Sequence, residues 1–207
     1  PAGLIAAAAR DPAALDRAAV QLAALARQHG LAQWAALSKV LRGCSLALAG
    51  DQPDEAVAAI EDGMAACRAV GFNLHRPLFL GYLAEALLRR SDVAAAERVT
   101  ADALRLIQAS REHADEPELL RLAGRLAASR SPSEAEPFLR RAVDLAAAQG
   151  ARLVELRAAT SLARFWRERD RAREARELLA ARLAPLTEGL DTAEAVAARA
   201  FLAELAG

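Results

Sequence analysis

Four short stretches of this chain repeat one another: Asp51-Gln-Pro-Asp-Glu-Ala56, Ser91-Asp-Val-Ala-Ala-Ala96, Ser131-Pro-Ser-Glu-Ala135 and Arg171-Ala-Arg-Glu-Ala175. Their final alanines stand 39 or 40 residues apart, and a fainter copy sits at Asp11-Pro-Ala-Ala-Leu15. A fixed period of this size restricts a chain to stacked copies of one supersecondary unit, because no copy can bury its apolar face alone. Composition decides which unit. Of 207 residues, 56 are Ala and 33 are Leu, and aromatic residues make up only 4%. Ala and Leu favour helix strongly, while β-branched and aromatic residues are too few for a sheet of any size. The expected fold class is therefore all-α, and sandwiches, barrels and dinucleotide-binding α/β folds are excluded.

Helix punctuation follows the same period. Asp51, Ser91, Ser131 and Asp170 can offer an oxygen to exposed amides, Pro53 and Pro132 suit a first helical turn, and Gly30, Gly50, Gly71 and Gly150 stand where helices should stop. The pattern predicts helices near 11–29, 32–49, 53–70, 76–90, 92–111, 116–129, 132–149, 152–169, 171–184 and 191–205. Residues Pro1 to Arg10 are expected to form part of a truncated helix. Small residues recur twelve positions apart, Ala56, Ala96, Ala135 and Ala175 facing Cys44, Ala84, Ala123 and Ala163. Close helix approach requires small side chains at such crossings. Leu83-Ala84, Leu122-Ala123 and Leu162-Ala163 add a large neighbour, and only Gly43-Cys44 departs.

This helix-turn-helix spacing resembles tetratricopeptide (TPR) repeats, with a unit somewhat longer than their usual 34 residues. The last repeat resembles something more specific. Glu155-Leu-Arg-Ala-Ala-Thr-Ser-Leu-Ala-Arg-Phe-Trp-Arg167, followed by Arg173-Glu-Ala-Arg-Glu-Leu-Leu179 and Thr187-Glu-Gly-Leu-Asp-Thr192, is similar to the C-terminal repeats of large bacterial signalling ATPases. In those proteins a nucleotide-cyclase or winged-helix domain precedes a STAND-type P-loop ATPase, and a TPR array closes the chain. The resemblance covers about Ala32 to Leu205; together with the repeat it predicts one right-handed α-solenoid over residues 1–207, with a partial repeat at 1–30, repeats near 32–71, 76–111, 116–150 and 152–186, and a capping helix at 191–205. It also implies a non-catalytic sensory or interaction module, expected in the cytoplasm and joined to a longer polypeptide. Leu179 to Thr187 and Leu190 depart from the family pattern, where aromatics are commoner.

Chemical motifs are lacking. Lys39, the sole lysine, has no Gly-rich lead of the kind that cradles phosphates. His29, His75 and His113 have no partner at metal-ligand spacing, and Cys44 and Cys67 are read as buried reduced thiols. No catalytic residue, metal or cofactor is expected. Basic and acidic residues number 27 each, a balance that points away from nucleic acid as a direct partner. The one basic stretch with aromatics, Arg164 to Arg176, interleaves Glu168, Asp170, Glu174 and Glu177 and should form surface ion pairs. Acidic pairs such as Glu61-Asp62 and Glu116 with Glu118 are read as solvated, and no apolar run is long enough to span a membrane.

Helical arrays bind along the concave wall made by their first helices. Counting from the small anchors places Leu41, Ser45, Leu48, Leu78, Gly81, Glu85, Leu88, Leu120, Gly124, Arg157, Thr160, Arg164 and Arg167 on that wall, with Tyr82, Arg89 and Arg121 in reach. The expected partner is an acidic protein segment, such as part of an upstream ATPase of the same polypeptide. A free-standing scaffold and a small-molecule sensor are the alternatives.

Overall fold

Eleven α-helices and no strand make up residues 2–110 and 113–205, the part of the chain that the computed structural model describes. They are α1 (Ala2–Ala9), α2 (Pro12–His29), α3 (Ala32–Ala49), α4 (Pro53–Ala69), α5 (Arg76–Arg89), α6 (Val93–Ala109), α7 (Glu116–Ala127), α8 (Pro132–Ala148), α9 (Arg152–Arg167), α10 (Ala172–Leu183) and α11 (Ala193–Glu204). A helix starts at each repeated stretch, as expected, and every bound lies within two residues of its expected place. Residue 111, where α6 was expected to end, lies outside the described residues.

The helices form two compact units, Pro1–Leu106 and Ile107–Gly207. In the first, α2 packs on α3, α3 on α4 and α4 on α5, and α3 also meets α5. In the second, α7 packs on α8, α8 on α9 and α9 on α10, while α9 also meets α7 and α11. Contacts between neighbours and next-but-one neighbours are the pattern of helix-turn-helix pairs stacked in a solenoid-like way within each unit.

The caps differ in part from expectation. Pro53 and Pro132 do sit in first turns. Ser91 and Asp170 instead occupy the left-handed region, with φ of 64° and 59°. Asp92 takes the capping role at α6, accepting the Ala95 amide at 3.1 Å, and that bond, with the Arg90 guanidinium, holds its carboxyl below the ordinary value. Ser131 starts α8 without a side-chain capping bond. A serine or aspartate between two helices can serve either the helix that ends or the one that begins, and at Ser91 and Asp170 the left-handed turn takes it.

The small-residue crossings hold with one correction. Ala56, Ala96, Ala135 and Ala175 are completely buried, as are Cys44, Ala84 and Ala163. Ala123 is only half-buried. Its neighbour Gly124, expected on the groove wall, lies against α8 instead: a Cβ there would stand 2.6 Å from Leu139 Cγ and 3.1 Å from the Ala135 carbonyl oxygen. The Gly43-Cys44 departure also has a steric reason. A Cβ on Gly43 would lie 2.7 Å from the Ile60 amide nitrogen, and one on Gly63 would lie 2.6 Å from that of Val40. Helices α3 and α4 therefore meet backbone to backbone, which only glycine permits at both positions.

Candidate functional site

In the second unit, three alternate helices contribute to one buried ionic chain. Glu118 and Arg121 lie on the same face of α7, three residues apart, and the Arg121 guanidinium donates to Glu118 Oε1 at 2.5 and 3.0 Å. From α9, Arg157 donates to Glu118 Oε2 at 3.2 Å and to Glu194 Oε1 of α11 at 2.5 Å. The side chains of Arg121, Glu194, Arg157 and Glu118 are 5, 7, 14 and 16% exposed. Charges this far from water persist only because each arginine alternates with a carboxylate. Glu118 is thus not solvated as the sequence reading had it. Nor is Glu116, which is 8% exposed and bound by Arg141 at 2.7 Å and His113 at 2.9 Å.

Above this chain opens a cleft of about 490 Å³. Four arginines, 121, 125, 157 and 164, line it against two glutamates, 168 and 194. Arg164, expected on the groove wall, is exposed at its rim, with the guanidinium 5.4 Å from the centre of the Phe201 ring. No carboxylate among the described residues is paired with it. Arg167 stacks on the same ring at 4.8 Å and binds Glu204 at 3.0 Å. Thr160 also lines the cleft, but its hydroxyl donates to the Leu156 carbonyl of its own helix at 2.8 Å. The arrangement suits anion binding: charge-assisted hydrogen bonds from planar guanidinium groups are the strong ones for carboxylate.

The first unit holds the other candidates, and there the chain covers its own groove. Tyr82 of α5 is 3% exposed and donates to the Ala7 carbonyl of α1 at 2.5 Å. Glu85, one turn on, pairs with Arg10, and Ser45 of α3 donates to the Pro12 carbonyl at 2.8 Å. Gly3 packs against Leu41. Residues 3–12 therefore lie where the sequence reading placed a ligand. Arg89 is exposed, its guanidinium against Gly50.

Glu136 of α8 is a second hub. It accepts the indole Nε1–H of Trp166 at 2.8 Å and hydrogen bonds from Arg140 and Arg171, and both guanidinium groups stack over the Trp166 ring. The rest of the basic stretch is paired much as expected, Arg171 with Glu174 and Arg173 with Glu177. Burial alone would raise the Glu136 carboxyl, but the Trp166, Arg171 and Arg140 hydrogen bonds bring it below the ordinary value of 4.5. A lowered folded-state pKa stabilises above the unfolded value, and that contribution fades as pH falls through the folded one. Stability of the second unit should therefore drop below about pH 4.5 in step with protonation of Glu136. Thermal melts of Glu136→Gln against the parent between pH 5 and 3 check this, the parent being the more pH-dependent; parallel curves would contradict it.

Both cysteines are free and buried, and burial pushes both thiols up. Among the described residues no group of three or more His, Cys, Asp or Glu is placed to hold a metal ion, and no helix is long and apolar enough to cross a membrane. No protein-family model matches the chain, and comparison with curated proteins finds no match.

Proposed function

We propose that this chain is a non-catalytic interaction module of TPR-like, right-handed solenoid type, and that the arginine-rich cleft of its second unit receives an acidic segment of a protein partner. The observation that carries this reading is Arg164, an exposed guanidinium with no carboxylate paired to it, at the rim of a cleft with twice as many arginines as glutamates. Arg121 and Arg157 are already neutralised by Glu118 and Glu194, so they set the shape of the cleft and Arg164 supplies the attraction.

Anisotropy of a labelled twelve-residue peptide containing six glutamates tests it. Arg164→Glu should weaken binding about tenfold or more, Arg164→Lys much less, and added salt should weaken the parent complex, because the contact lies at a solvated rim. Affinity unchanged by Arg164→Glu would overturn the reading. The resemblance of Glu155 to Arg167 supports a wider setting, the C-terminal regulatory part of a cytoplasmic bacterial signalling ATPase or transcriptional regulator. In that setting the acidic segment belongs to the ATPase of the same polypeptide.

A further inference from the structure

We infer that the first unit carries a second binding site, for a small uncharged and largely apolar molecule, in a cleft of about 700 Å³ walled by α1, α2, α3 and the turn before α5. The inference is independent of the acidic-segment reading, because it concerns different residues in a different unit.

Four observations carry it. The cleft lies in the size range of small-molecule sites. Its walls come from four separate segments, so it is a recess rather than one bare helix face. No Asp, Glu, Lys or Arg lines it; its polar side-chain groups are the Gln21 amide, the His75 imidazole and the Trp34 indole N–H. An ionised ligand would lose hydration there with no counter-charge, whereas a neutral one would lose little. One amide and one imidazole suffice to orient a molecule with a single hydroxyl or carbonyl. Finally, of the eight large apolar side chains that stay exposed among the described residues, four border this recess: Leu25, Leu31, Trp34 and Leu74, at 40–56% exposure. A ligand in the recess would remove that surface from water. The Trp34 and Phe72 rings, 6.5 Å apart at 52°, join the turn before α5 to α3 and give the recess an aromatic wall.

Position also separates the readouts. Trp34 borders this recess, while Trp166, the other tryptophan, belongs to the Glu136 hub of the second unit. The test titrates the full chain with N-phenyl-1-naphthylamine, a neutral probe that brightens in apolar surroundings, and with the anionic 8-anilinonaphthalene-1-sulfonate. The expected result is saturable binding of one neutral probe per chain. Energy transfer from Trp34 should persist in a Trp166→Phe background, and the anionic probe should bind at least tenfold more weakly. Leu25→Asp places a charge at an exposed rim position, where folding tolerates it, and should weaken the neutral probe at least tenfold. Arg164→Glu should leave it unchanged. Absence of saturable binding, or affinity indifferent to Leu25→Asp, would overturn the inference. So would sedimentation showing a dimer that Leu25→Asp dissociates, since a second copy would then be the occupant.

Discussion

Replacing Gly63 by valine should cost the first unit about 3 kcal/mol, the upper end of what overpacking a close contact usually costs. A Cβ at Gly63 would stand 2.6 Å from the Val40 amide nitrogen and 3.0 Å from the Lys39 carbonyl carbon. Both are backbone atoms inside α3, so relief requires the two helices to move apart, and Ala56, Val57 and Ile60 would lose contacts along the same seam. Urea unfolding followed through Trp34 in a Trp166→Phe background measures the effect. The midpoint should fall by about 1.5 M, taking a urea dependence of about 2 kcal/mol per molar. Ala65→Val, on the exposed face of the same helix, should change stability by less than about 0.5 kcal/mol. Equal midpoints for the two variants would mean that the α3–α4 crossing is not backbone-limited.

Arg157→Met should be equally damaging in the second unit, at about 3 to 5 kcal/mol, the range for removing one partner of a buried pair. Arg157 is the only arginine shown bridging Glu118 to Glu194. Its loss leaves the Glu194 carboxylate, 7% exposed, without that counter-charge. Adding Glu194→Gln to Arg157→Met should recover part of the loss, because a neutral amide tolerates the site better than an isolated charge. A double-mutant cycle read by chemical denaturation gives the coupling. A cost under about 1 kcal/mol would put the network in the class of solvated surface pairs. Charge reversal at Arg157 is for this reason a poor probe of partner binding: it would unsettle the scaffold before it reported on a ligand, whereas exposed Arg164, whose guanidinium stands beside the Phe201 ring, disturbs the scaffold far less.

The helices and their pairing were legible because their determinants are local. A proline in a first turn, a glycine after a last turn and an alanine every 39 or 40 residues can each be read without knowing what lies across the fold. Gly124 shows where that stops. Ala123 and Gly124 are both small, and which of them meets α8 depends on the rotation of α7, which a twelve-residue count does not resolve. Ser91 and Asp92 are a similar pair, either able to cap, and the left-handed turn at Ser91 decides for Asp92.

The candidate groove was legible in position but not in state. The arginines at 121 and 157 do line a cleft, yet their partners lie 3, 37 and 39 residues away, and only the last two require tertiary structure. Spacing puts Tyr82 and Glu85 on a binding wall but carries no sign that residues 7 and 10 meet them. Nothing in the sequence marks the apolar recess. Leu25 and Trp34 lie within predicted helices and Leu74 in the turn between two of them, and only their joint exposure around one hollow sets them apart.

The hydrogen bond from Tyr82 to the Ala7 carbonyl and the Arg10–Glu85 pair each close a loop of 75 residues. Neighbouring helix pairs can assemble locally and fast, but such a closure has to wait until α2 to α5 are in register, since loop entropy opposes it until then. Helix α1 is therefore the last element of its unit to dock and the first to leave. In hydrogen exchange its amides should open well before those of α3, by a sub-global route that leaves the other helices of the first unit folded.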